Sequence, residues 1–145
     1  MNRVEVESVA KALMINELGQ ALILTIGEYK GHPEKSYKPD LPGGLVDPGE
    51  SERDAVIREV YEETGVTLTA GNVMLRYAET KFYKDENKSV SKFLYIARMD
   101  VTPNVILSWE HAAYEWISID RILDEKKLRP FYDKALRYCL KNRIL

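Results

Sequence analysis

In the stretch "REVYEETG", Arg58 to Gly65, three carboxylates, Glu59, Glu62 and Glu63, lie within little more than one helical turn. Spacings of i, i+3 and i+4 bring side chains onto neighbouring helix surface, with Cβ atoms about 5 to 6 Å apart. Like charges crowded at the negative end of a helix dipole cost a few tenths of a kcal/mol up to about 1 kcal/mol. A divalent cation among them would offset that cost. Acidic, oxygen-only ligation suits Mg²⁺ or Mn²⁺ and does not suit zinc, which favours His or Cys. Mg²⁺ usually keeps waters and picks up phosphate oxygens, so a diphosphate is the natural partner. Read by itself, the cluster is equally an exposed acidic helix face whose repulsion is softened by Arg53 or Arg58. An EF-hand fits poorly, because its ligands lie on a loop with a central glycine.

The elements around this stretch must aim it. Ser51 is placed to cap a helix, with Asp54 three residues on, and Gly65 is suited to the left-handed conformation past the helix end. At 100° per residue, Val56, Ile57, Val60, Tyr61 and Thr64 share an arc that would pack on a sheet, with the glutamates outside it. Val4 to Ile15 and Ala21 to Ile26 read as strands flanking the turn "NELGQ". The segment "GEYKGHPEKSYKPDLPGG" reads as a long irregular loop enclosing a short strand near Tyr37 to Leu41. Further strands are predicted at Val73 to Phe82, Val90 to Met99, "NVIL" and "YEWISI". An amphipathic C-terminal helix is predicted with Phe131, Ala135, Tyr138 and Cys139 on its buried side. Strands before, between and after two separated helices predict a mixed α/β fold.

The chain has 145 residues, enough for one domain spanning 1–145. A net charge of −2 supplies no broad basic field, so neither DNA nor an anionic membrane is an expected partner. The start, "MNRVEVESVAKALMI", resembles neither a signal peptide nor a membrane span. A single cysteine, Cys139, excludes an internal disulfide and a multi-thiolate metal site, and a reducing cytoplasmic setting is expected.

Residues 44 to 66, "GLVDPGESERDAVIREVYEETGV", carry Gly44, Glu50, Arg58, Glu59, Glu62, Glu63 and Gly65 with aliphatic Val60 and Val66. This spacing resembles the signature of the Nudix hydrolases at every position. With each residue type near 7% in frequency, seven fixed positions coincide by chance about once in 10⁸ starts. The preceding "LPGG" and the later "WEHAAYEWISID" also look like family sequence.

The resemblance implies an α/β/α sandwich with a mixed sheet and a catalytic loop, helix and loop. It implies metal-dependent hydrolysis of a nucleoside diphosphate linked to another group, by water attacking phosphorus. Carried over, it implies Glu59, Glu62 and Glu63 as Mg²⁺ or Mn²⁺ ligands with the carbonyl of Gly43 or Gly44, Arg58 orienting a carboxylate, and Glu50 as a structural partner. The proton acceptor stays open between Glu59, Glu62 and Glu110. Lys38, Tyr37 and Tyr83 are substrate candidates, Tyr83 because an aromatic at its distance from the signature resembles the diadenosine polyphosphate branch. Trp109, Tyr114 and Trp116 read as core or strand residues, and His111 as a loop residue. A small nucleotide is the expected partner, and family members often form homodimers. A non-catalytic nucleotide sensor and a nucleotide-sugar or capped-RNA pyrophosphatase are the alternatives.

Overall fold

The computed structural model describes residues 3–145. Its centre is a mixed sheet of seven strands: β1 (Glu5–Ile15), β2 (Gln20–Ile26), β3 (Pro39–Asp40), β4 (Gly43–Leu45), β5 (Val73–Tyr83), β6 (Lys88–Arg98) and β7 (His111–Ser118). The main path runs β3-β2-β1-β6-β5, with β4 on β1 and β7 on β2. β1 and β6 pair in parallel from Glu5↔Lys88 to Ile15↔Arg98, and the other pairs are antiparallel.

Alternation along β1 assigns its two faces. Ala10, Ala12 and Met14 are buried with Val56 and Val60 of helix α1 (Glu52–Thr64), whereas Leu13 and Ile15 are buried with residues of helices α2 (Ile119–Asp124) and α3 (Pro130–Lys141). A strand that buries both faces needs cover on each, and the result is the α/β/α sandwich. Helix α2 is an element that the sequence pattern does not show; at six residues it is too short to display a period. Along α3 the buried residues are Tyr132, Ala135, Leu136 and Cys139, so the inward stripe is rotated from the one expected and Tyr138 is exposed. Among the described residues no helix is long and apolar enough to cross a membrane.

One irregularity of the sheet matters for the site. β1 and β2 meet at Ile15↔Ala21 and then take other partners, β4 at Val9 to Lys11 and β3 at Leu24 and Thr25. The segment from Pro39 to Leu45 is thereby wedged between the two strands, with Ala12 N–H donating to the Pro42 carbonyl at 2.9 Å. The sheet is split on one side, and a cleft opens there.

The segment "NVIL" is a correction. It is no strand: Ile106 N–H donates to the Thr64 carbonyl at 2.9 Å and Ser108 N–H to the Glu63 carbonyl at 3.2 Å. Val105 and Leu107 pack on the core from this extended stretch. Its apolar residues imitate a strand, but its backbone satisfies carbonyls that the end of α1 would otherwise leave open.

Candidate active site

Helix α1 begins and ends as its sequence dictates. Ser51 Oγ accepts from Asp54 N–H at 3.0 Å, and Gly65 ends the helix at φ 72° with its N–H donated to the Tyr61 carbonyl. Val56 and Val60 anchor the helix, but Tyr61 is 59% exposed and does not hold it down, contrary to the arc expected. Glu63 departs in the opposite sense: it is 4% exposed rather than outward-facing. β4 and the stretch from 105 to 108 cover that flank, which a helical projection alone cannot show.

The backbone of β4 runs against the glutamates. Gly43 has φ 137°, and a Cβ there would lie 2.3 Å from the Ala10 carbonyl oxygen and 2.5 Å from Lys11 Cα, so only glycine fits. From this position Gly43 N–H donates to Glu63 Oε2 at 3.1 Å. At Gly44 a Cβ would meet the Glu59 carboxyl carbon at 3.0 Å.

Arg58 organises the outward carboxylates. Its Nε and Nη2 donate to the two oxygens of Glu50 at 2.8 and 2.9 Å, and Nη1 donates to Glu59 Oε1 at 3.1 Å and Glu62 Oε2 at 3.2 Å. This fork fixes each carboxylate while leaving Glu59 Oε2 and Glu62 Oε1 outside the Arg58 contacts. Glu50, which also accepts from Asp47 N–H, is held down to about 2, first by its hydrogen bonds from Arg58.

Glu63 has no cation within ion-pair distance among the described residues. Burial pushes its carboxyl well above the usual carboxylate range; the Gly43 N–H and the charge of Lys11 oppose the shift, and Glu59 adds to it. Among the described residues no three His, Cys, Asp or Glu side chains converge as a finished cage. The donors nonetheless fit a hard divalent ion: they are all oxygen, they are turned by Arg58 and Gly43, and one of them is a buried carboxyl that lacks a counter-charge.

A second charged group joins Lys11 of β1, Asp40 of β3 and His111 of β7. Lys11, the one charged residue in the apolar run "VAKALMI", is 9% exposed and donates through Nζ to Asp40 Oδ1 at 2.7 Å and to the Leu41 carbonyl at 3.1 Å. His111 Nε2 lies 3.6 Å from Asp40 Oδ2, an ion-pair distance rather than a hydrogen bond. His111 is thus a buried residue at the start of β7, not a loop residue. Burial by itself would raise the Asp40 carboxyl, but Lys11, His111 and the charge of Arg129 outweigh it and hold the group below its ordinary value.

Asp40 and His111 line a cavity of about 840 Å³ together with Gly43, Glu63, Glu110 and Arg129. Glu110, a proton-acceptor candidate, is therefore in the cavity with Glu63. From the long loop the cavity takes Tyr29, Lys30 and Lys35, whereas Tyr37 and Lys38 are exposed on that loop outside the lining. Tyr83 lies in a neighbouring depression with Lys81 and Lys92, which shares Arg129 with the cavity. Trp109, expected as a core or strand residue, is neither: it is 90% exposed at the cavity.

The split mixed sheet between helices, with a glycine strand set against a helical acid cluster, defines a known architecture. The family model for the NUDIX domain matches residues 7–139, and the chain belongs to the Nudix family. It is 34% identical over 89 residues to the asymmetrical bis(5'-nucleosyl)-tetraphosphatase of Caenorhabditis elegans, a match covering 61% of this chain and 63% of the relative. The similar rat enzyme is 32% identical over 80 residues, covering 54% of each chain. The chain thus spans between half and two thirds of the length of these curated relatives. Among solved structures, the MutT protein from Methanosarcina mazei superposes with a TM-score of 0.81 at 29% identity, covering 99% of both chains. A binary complex of the C. elegans Ap4A hydrolase superposes with a TM-score of 0.62 at 27% identity, covering 90% of this chain and 93% of that one.

Proposed function

We propose that this chain hydrolyses the diphosphate linkage of a small nucleotide, a nucleoside diphosphate joined to a further phosphate, nucleotide or other group. The observation that carries this reading is the acid cluster of α1, with Glu59 and Glu63 set against the backbone of β4 and Glu63 lining a cavity that also takes Lys30, Lys35 and Arg129. Glu59, Glu62 and Glu63, with the Gly43 carbonyl, would hold Mg²⁺ or Mn²⁺. Such an ion, when bound, lowers the pKa of a water and neutralises charge on the bridging oxygens.

The remaining work falls to the chain. Arg58 keeps the free oxygens of Glu59 and Glu62 in one orientation. Gly43 N–H fixes the Glu63 carboxylate at the cavity wall. Lys30, Lys35 and Arg129 offer charge to phosphate oxygens beyond the scissile link. Glu110 takes the proton of the attacking water, because it lines the cavity and is free of Arg58, whereas Glu59 and Glu62 share that guanidinium. The names of the similar proteins support dinucleoside polyphosphates as the first substrates to try.

The test is a panel of nucleoside triphosphates, diadenosine polyphosphates, ADP-ribose and nucleotide sugars with Mg²⁺ or Mn²⁺, products identified by mass. Release of a nucleoside phosphate supports the reading. Tight nucleotide binding without turnover would favour a sensor instead. Glu110→Gln should lower kcat by about 10² to 10⁴ with Tm unchanged. If Glu62→Gln does this and Glu110→Gln does not, Glu62 is the base.

A further inference from the structure

Trp109 is the most exposed large apolar side chain among the described residues, at 90%. A tryptophan is usually well buried, and leaving one in water forgoes a large hydrophobic gain. Its exposure is not that of a loose loop. On one side Ser108 N–H is donated to the Glu63 carbonyl at 3.2 Å. On the other, Gly27 N–H is donated to the Glu110 carbonyl at 2.8 Å. A Cβ at Gly27 would meet the Glu110 carbonyl oxygen at 3.2 Å, so the two backbones touch. The backbone is pinned while the indole is left free beside the cavity.

The same Gly27 contact brings a second aromatic to this rim. Tyr29 lies two residues further along, lines the same cavity and is 46% exposed. It is held by its N–H to Ser36 Oγ at 2.7 Å, with Lys35 Nζ 5.4 Å from its ring centroid. Lys30, Lys35 and Arg129, in the same lining, have no carboxylate within ion-pair distance among the described residues. Although Glu28, Asp40, Glu63 and Glu110 share the lining, the two aromatics and the three unpaired cations match a ligand that is aromatic at one end and anionic at the other.

We propose that Trp109, with Tyr29 on the adjoining loop, is the seat of the substrate's nucleobase, which it holds by its π-face. The inference rests on the nucleotide reading above and adds to it where the base lies and how it is read. Stacking uses a surface that every base has, so the seat selects for the presence of a base and only weakly for its identity. AMP, GMP, CMP and UMP should therefore bind within a few-fold of one another.

The experiment uses AMP, which has no diphosphate link to cleave, with ribose 5-phosphate as the baseless control, each with and without Mg²⁺. Trp109→Ala, Trp109→Phe and Tyr29→Ala are compared with the unaltered chain by calorimetry and indole fluorescence. AMP should quench the fluorescence of the unaltered chain, and the quench should vanish in Trp109→Phe, which keeps Trp116. Trp109→Ala should weaken AMP roughly tenfold or more, Tyr29→Ala less, and Trp109→Phe about threefold or less. Ribose 5-phosphate should bind all four chains alike.

The proposal is overturned if AMP gives no quench with or without Mg²⁺, if Trp109→Ala binds AMP as the unaltered chain does, or if it loses ribose 5-phosphate by the same factor. It is also overturned if Trp109→Ala keeps AMP affinity and changes the sedimentation of the protein, which would make the indole a contact between copies. Failure of the hydrolase reading is separate: quench without turnover of any panel substrate leaves the base seat standing.

Discussion

Two clusters of charge, each gathered on one cation, lie on either side of β4, and they obey different physics. Arg58 and its glutamates are partly exposed; the Arg58 side chain is 29% accessible and that of Glu62 54%. Lys11 and Asp40 are nearly sealed, at 11% and 12%. In the outer cluster water screens the Arg58–Glu62 pair, while Glu50 and Glu59, at 17% and 18%, sit in the Arg58 fork, whose main value is geometric. In the inner cluster the desolvation cost is already paid, and the loss of one partner strands a charge in a poor dielectric. Loss of a partner in the outer cluster should tell more on turnover, and loss of a partner in the inner cluster more on stability.

The sharpest break of this contrast is Lys11→Met, which leaves Asp40 buried without its partner. It should cost about 3–5 kcal/mol of stability in denaturant titration. Lys11→Met with Asp40→Leu should recover most of that loss; a double variant no better than the single one would show that Lys11 contributes by packing and not by charge. Next in size is Arg58→Lys, which keeps the charge but not the fork. It should lower kcat about 10- to 100-fold with Tm nearly unchanged, and a fall in Tm comparable to that of Lys11→Met would erase the distinction.

The smallest effect is a matter of pH. Glu50 has a depressed folded pKa of about 2, so its contribution is present above the ordinary carboxylate range near 4.5 and is lost as pH falls through that window toward 2. Glu50→Gln should flatten the Tm profile between those limits by lowering Tm near neutrality, where the ionised pair contributes, while leaving it unchanged near pH 2. An unaltered acid limb would show that Arg58 gains nothing from this partner.

The outer cluster was open to reading because its chemistry demands residue types at helical spacing, and its helix carries explicit stop signals in Ser51 and Gly65. The inner cluster was not. Lys11 left a trace, a lone charge in an apolar strand, but Asp40 and His111 lie far from it in sequence and meet it only through the splitting of β1 from β2. Glu63 illustrates the same limit within a motif: its identity is in the signature, its burial is decided by β4 and residues 105 to 108. "NVIL" misled because β-branched apolar residues serve an extended helix cap as well as they serve a strand. Trp109 misled because a tryptophan is ordinarily a core residue, and only the cavity shows otherwise.

The parallel register of β1 on β6 bears on how the protein reaches this state. Glu5 pairs with Lys88 and Ile15 with Arg98, so the central ladder closes a loop that contains the entire glycine strand and acid helix. Contacts so distant in sequence cost loop entropy before they return any energy, and chains dominated by them fold slowly. The glutamates of α1 are close in sequence, but the strand backbone that orients them waits for the ladder, and a helix of 13 residues is marginal until it packs. The acidic helix can therefore serve as a site only once that ladder has closed.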